Sequence, residues 1–130
     1  MPDRSAFEYA VLRLVPDIER GEAVNVGVVL FCRTKRFLDA RSVAELSWIE
    51  PLWPHLDQPP ILRQIEQIGL ICRGDRSTGL IGELPAPERF RWVVAPRSTI
   101  LQASPVHCGL CSDPAAQLQH LYQRLVGRDG

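Results

Sequence analysis

The sequence predicts an α+β domain: a mainly antiparallel sheet of about five strands with two to three helices packed on one face, in a single domain spanning residues 1–130. Three observations lead there. The chain opens with runs of β-branched and aromatic residues separated by Pro/Gly turn clusters. Two later stretches carry apolar residues at helical spacing next to capping residues. The resulting order, β-β-β-α-α-β-β-α, groups strands with strands, as antiparallel sheets do.

The elements follow in order. Residues 7–15 form a first strand, the loop 16–22 (Pro-Asp-Ile-Glu-Arg-Gly-Glu) turns the chain, and residues 23–31 form a second strand. A turn over 32–36 leads to a short third strand at 37–41. Ser42-Val-Ala-Glu45 has the form of a capping box, in which hydroxyl and carboxylate each satisfy a free backbone donor, so a short helix is expected from there to about Glu50, stopped by Pro51 and Pro54. A second helix is expected over 60–73, with Ile61, Ile65, Ile68 and Cys72 on one face and Gly74 as left-handed cap. Residues 74–88 read as an exposed loop. Phe90-Arg-Trp-Val-Val-Ala95 reads as a fourth strand and Thr99-Ile-Leu-Gln102 as a fifth. Asp113-Pro114 is a helix start; Leu118, Leu121, Tyr122 and Leu125 follow at i, i+3, i+4, i+7, and Gly127 ends the helix. The expected core is Leu12, Val26, Val28, Leu30, Ile65, Ile68, Trp92, Val94, Leu118, Leu121 and Leu125.

At 130 residues, 45% hydrophobic and 23% charged, the chain is long enough to bury a core without disulfides or metal. Fifteen basic residues balance fifteen acidic ones, which argues against a dedicated nucleic-acid or membrane-surface binder. Apolar runs are too short for a membrane span or signal-peptide core. The expected compartment is therefore the cytoplasm, where Cys32, Cys72, Cys108 and Cys111 default to free thiols. Lys35 is the only Lys and Asn25 the only Asn; that depletion is the mark of GC-rich coding, so the excess of Arg is not by itself a phosphate-binding signal.

Three stretches together resemble the bacterial domain-of-unknown-function family 3037. They are residues 9–31, with the core Arg20-Gly-Glu-Ala-Val-Asn-Val-Gly-Val-Val-Leu-Phe31; residues 88–102, which include Ala95-Pro-Arg-Ser-Thr99; and Ser104-Pro-Val-His-Cys-Gly-Leu110 running into Asp113-Pro114. The resemblance places core motifs at 7–41 and 88–126 and a variable middle at 44–84. It implies no assigned activity. It does imply a shared complex or pathway with a HipA-like kinase.

Four constellations are candidates for chemistry. On the second strand Asn25 and Gly27, both poor strand formers, interrupt a run of Val. If Val15 pairs with Ala23, Arg13 lies opposite Asn25 and Val11 opposite Gly27. That makes either a polar notch or, at Gly27, a bulge or a place where a helix packs closely, with Asn25 bonded to the loop backbone. Arg97, Ser98 and Thr99 form either an anion nest of turn amides and guanidinium or a plain β-turn. Cys108 and Cys111 have redox or zinc spacing, but they precede the helix at Asp113 and lack a second ligand pair, which favours plain small residues. His107 lies in a loop expected near the sheet edge, either as a binding group or as a structural hydrogen-bonder. The chain holds no Gly-Lys-Ser/Thr phosphate loop, Gly-x-Ser-x-Gly elbow or His-Glu-x-x-His, so no catalytic residue is assigned.

The function expected from the sequence is a non-catalytic accessory or protein-interaction module, with a protein partner, no nucleic acid or membrane, and no cofactor or metal. Trp48, Leu52 and Trp53 are candidate anchors for a partner. The alternative is a small enzyme or binding protein for a phosphate or carboxylate ligand, whose pocket joins Arg97, Ser98, Thr99 and His107 with Asn25 and Arg20. In that case Arg97, Ser98, Thr99 and His107 should lie together, with Arg13 or Asn25 approaching them if the strand at Thr99 pairs with, or lies close to, the first hairpin.

Overall fold

Ser5–Leu14 (β1) is the central strand of the molecule, with neighbours on both edges, and from Phe7 through Leu14 it is mostly apolar and buried, interrupted by Glu8 and Arg13. The computed structural model describes residues 3–97 and 99–127. Among them the order is β1, β2 (Val24–Cys32), β3 (Phe37–Ser42), α1 (Gln58–Cys72), α2 (Ala86–Val94), β4 (Leu101–Ala103), β5 (His107–Cys111) and α3 (Pro114–Leu125), with short 3-10 turns at Ser47–Ile49, Arg76–Thr78 and Ile81–Glu83. The sheet is antiparallel throughout, in the order β3-β2-β1-β4. The free edge of β1 is shared: β4 pairs with Leu12–Leu14, and β5 pairs with Ser5–Tyr9. Five antiparallel strands and three helices make the α+β domain that the sequence predicts.

The helices divide between the two faces instead of sharing one. Val29 and Phe31 of β2 pack with Ile61, Ile65 and Ile68 of α1 and Phe90 and Val93 of α2. Their alternates, Val28 and Leu30, pack with Leu118 and Leu121 of α3. Adjacent side chains of a strand point to opposite faces, so β2 is buried on both sides. This is why it reads as an unbroken run of Val and Leu.

Hydrogen-bond geometry accounts for the helix ends. Asp113 accepts from the N–H of Ala116 at 3.2 Å, with Pro114 in the first turn of α3. At the end of α1, Gly74 adopts φ +70°, its N–H reaches the Ile71 carbonyl, and the Asp75 N–H reaches the Leu70 carbonyl. This pair of bonds is a Schellman closure that needs a left-handed residue at Gly74.

Five further expectations are corrected. Residues 90–95 are not a strand: α2 covers Ala86–Val94, with Pro85 before it and Pro87 in its first turn. An apolar run this short fits either period, and packing decides. On the helix Phe90 and Val93 point into the core while Trp92, expected inside, is 39% exposed. The Ser42–Glu45 capping box does not form, because Ser42 stays in β3 opposite Gly27. Glu45 instead accepts from the backbone N–H and hydroxyl of Ser47, opening the turn Ser47–Ile49. The loop holding His107 is a strand, β5, whose Gly109 lets the Phe7 ring lie against it: a Cβ there would come 2.7 Å from the ring. The fifth expected strand is shorter, beginning at Leu101.

The remaining expected core holds, with Leu12, Val26, Val28, Leu30, Ile65, Ile68, Leu118 and Leu121 buried and Val94 and Leu125 partly so. Among the described residues no helix is long and apolar enough to cross a membrane.

Candidate functional site

An open groove of about 590 Å³ lies where α1, α2 and the approach to β4 meet, and Ile18 from the loop between β1 and β2 also lines it. Its lining combines buried apolar side chains, Ile68 and Ile71 of α1 and Leu101 of β4, with Gln64, Gln67, Trp92, Arg97 and Ile100. Ile18, Trp92 and Ile100 are exposed. Clustered exposed apolar side chains around a concave surface mark binding sites more often than scattered ones do.

The groove's wall is built by one local device. Arg97 lies three residues past α2 and folds back over it. Its guanidinium sits 4.3 Å from the centre of the Trp92 ring and donates to the Trp92 carbonyl at 2.5 Å and the Val93 carbonyl at 3.3 Å. These carbonyls lie in the last turn of the helix, which lacks intrahelical donors, so Arg97 satisfies them and opposes the negative end of the dipole. Trp92 is thereby held flat against a cation on the surface. Thr99 turns its hydroxyl to the Leu101 carbonyl at 2.7 Å, and the Gln102 amide donates to the Thr99 carbonyl at 2.8 Å.

The six residues singled out in the sequence do not gather here. Arg97 and Thr99 line the groove, and Ser98 lies outside the described residues. His107 is on β5 opposite Tyr9, its ring centre 5.3 Å from the tyrosine ring. Asn25 faces α3 and donates to the Leu125 carbonyl at 3.0 Å, bonding helix instead of loop backbone. Arg20 is on the exposed loop, paired with Glu22 at 2.8 Å; that pair raises the guanidinium's pKa and holds the Glu22 carboxyl below its ordinary range. Arg13 does stand opposite both Asn25 and, across the other edge, Gln102 of β4.

Gly27 marks both a bulge and a close approach. The register passes from Arg13↔Asn25 to Leu12↔Gly27, leaving Val26 as the extra residue, so Val11 faces Val28 instead of Gly27. A Cβ on Gly27 would come 2.7 Å from Ser42 Oγ and 3.1 Å from the Arg41 carbonyl.

The cysteines divide by exposure. Cys108 and Cys111, three apart on one strand, point to opposite faces, the first exposed and the second buried. Burial raises the Cys111 thiol and pushes the Cys72 thiol up to about 12. Among the described residues no three His, Cys, Asp or Glu side chains converge as a metal site. Trp48 and Trp53 are half-buried against the core, the Trp48 indole donating to the Glu45 carbonyl at 3.2 Å, while Leu52 between them is 66% exposed.

The sequence overlooked Trp92, Ile18 and Ile100 as surface groups. Reading residues 90–95 with a period of two put Trp92 on the same face as Phe90; at 3.6 residues per turn it falls off the Phe90–Val93 face. The pattern Pro85-Ala86-Pro87 was the available sign, since Pro is favoured in the first turn of a helix.

No curated protein and no solved structure matches the chain at a significant level. One family does match, over residues 9–126, a span that takes in the whole groove and all five strands but the first residues of β1. The chain belongs to that family, DUF3037, described as proteins of unknown function.

Proposed function

We propose that this protein is a non-catalytic interaction module, working in the cytoplasm, and that the groove between α1, α2 and β4 receives an apolar segment of a protein partner. One observation carries the reading: the pairing of exposed Trp92 with Arg97 at the lip of an apolar groove. Trp and Arg dominate the binding energy of protein interfaces, and an anchor fixed before binding loses little entropy on association. The HipA-like kinase implied by the family resemblance is the first partner to test.

The alternative, a pocket for an anionic ligand, has weaker support. Arg97 and Thr99 share the groove wall, but both terminal nitrogens of Arg97 already donate to carbonyls of its own helix, and Thr99 Oγ1 serves Leu101. His107, Asn25 and Arg20 do not line the groove.

The test is affinity capture with the tagged protein from its own cells, followed by mass spectrometry for proteins and small molecules, in wild type and Trp92→Ala. A protein that co-purifies with wild type and is lost from a Trp92→Ala variant of unchanged melting temperature supports the reading. The same protein retained equally by both, or a small anion in place of any protein, contradicts it.

A further inference from the structure

Of the strands that border the sheet, β3 and β4 are blunted and β5 is not. On β3 the Asp39 carboxylate takes the N–H of Ala40 and pairs with Arg73, and Arg41 adds a second charge. On β4 the outward carbonyl of Leu101 is taken by the Thr99 hydroxyl, and just before the strand the Thr99 carbonyl is taken by the Gln102 amide. Charged side chains and self-satisfied backbone are the usual guards against edge-to-edge pairing. β5 carries neither. Its sequence, His-Cys-Gly-Leu-Cys, holds no Asp, Glu, Lys or Arg, and Pro105 and Asp113 stand only at its two approaches.

The direction of its free backbone follows from one anchor. Val11 gives its N–H to Ser104 Oγ at 2.9 Å, and its carbonyl accepts from the Ser104 N–H at 2.8 Å, so Val11 faces the β4–β5 edge. Alternation then turns Tyr9, Phe7 and Ser5 the same way, and their partners His107, Gly109 and Cys111 back toward β1. The N–H and C=O groups of Cys108 and Leu110 therefore point away from the sheet. Their side chains share a face with Ala6 and Glu8, all four exposed, at the corner that α1 and α2 leave uncovered; Leu110 is 63% exposed.

We propose that β5 is a self-association edge: two copies of this chain pair β5 with β5 antiparallel about a two-fold axis, extending the sheet across both. A second copy fits because the strand is complementary to itself. With Gly109 at the axis, Cys108 of one copy faces Leu110 of the other, and each such pair exchanges two backbone hydrogen bonds. No like charges meet, since the strand has none, and the molecule's formal net charge is zero. The two Leu110 side chains then lie diagonally across the axis on the uncovered corner, within reach of one another. A five-residue strand offers little area beside the roughly 1,200 Å² of a standard stable interface, so the dimer is expected to depend on concentration.

Sedimentation equilibrium over rising concentration, with hydrogen exchange at each concentration, tests this under reducing conditions. The wild type should move toward twice the monomer mass, with the Cys108 and Leu110 amides gaining protection as it does. Leu110→Lys sets two like charges beside the axis, and Cys108→Pro removes only an outward donor. Both should stay monomeric with native circular dichroism; Leu110→Lys, a change at an exposed side chain, keeps the test decisive if the proline variant does not fold. A constant monomer mass for wild type, including the case in which this edge serves a different protein, overturns the proposal. So does a dimer that survives Leu110→Lys.

Discussion

Asn25 and Leu125, one hundred residues apart, are joined by a 3.0 Å hydrogen bond from the side-chain amide of the strand residue to the last carbonyl of α3. That carbonyl lies in the final turn, where the helix itself supplies no donor. The chain's only Asn thus caps a helix from within a strand.

Asn25→Ala should therefore cost about 1–3 kcal/mol, the usual penalty for leaving a partly buried acceptor unserved. Asn25→Asp should cost more near neutral pH, because a carboxylate accepts but does not donate and adds negative charge at the negative end of the helix. Urea denaturation of the two variants checks the order, and equal stability of all three proteins would show that the bond is idle.

Gly27→Ala should destabilise by about 1–3 kcal/mol, the typical cost of forcing a methyl into a packed site. The contact is with Ser42 Oγ at 2.7 Å, so Ser42→Gly in the same chain should return part of that loss. The Arg41 carbonyl at 3.1 Å keeps the recovery incomplete. A double-mutant cycle measures it, and strict additivity would contradict the assigned clash.

Leu121→Ala should cost about 2–5 kcal/mol, since Leu121 is buried between α3 and the sheet. Leu110→Ala, on the exposed corner, should fall within about 0.5 kcal/mol of wild type for the monomer. Thermal unfolding at low protein concentration compares them.

Cys72 gives a prediction for alkaline pH. Burial raises its thiol from an ordinary 9.0 to about 12, so above 9.0 the unfolded chain releases this proton before the folded chain does. The unfolded state then binds fewer protons, and stability falls as pH rises from 9.0 toward 12. Cys72→Ala should show a shallower loss over that window, whatever its stability at neutral pH. Parallel slopes for the two proteins would contradict the assignment.

Elements marked by backbone chemistry were legible in the sequence. Asp113-Pro114, Gly74 and the Val-rich β2 each state a local requirement, and each is met as expected. Elements decided by tertiary packing were not. Phe90–Val94 has strand-like residues but lies on a helix, because Phe90 and Val93 then both meet the core and Phe90 stacks on Phe31 with ring centres 5.3 Å apart. β5 is a strand because it pairs with Ser5–Tyr9 of β1, and Gly109 leaves room there for the Phe7 ring, contacts that local pattern does not express. The candidate site suffered from the same limit. Arg97 and Thr99 were found through their turn chemistry, while Trp92 became a surface group only once its helix was known.

The claim that the groove is the partner surface is tested most directly by hydrogen exchange on the captured complex. Partner binding should protect amides of residues 64–71 and 92–103 and leave α3 unchanged. Protection confined to α3, or to the Leu52–Trp53 corner, would place the partner elsewhere and contradict the account.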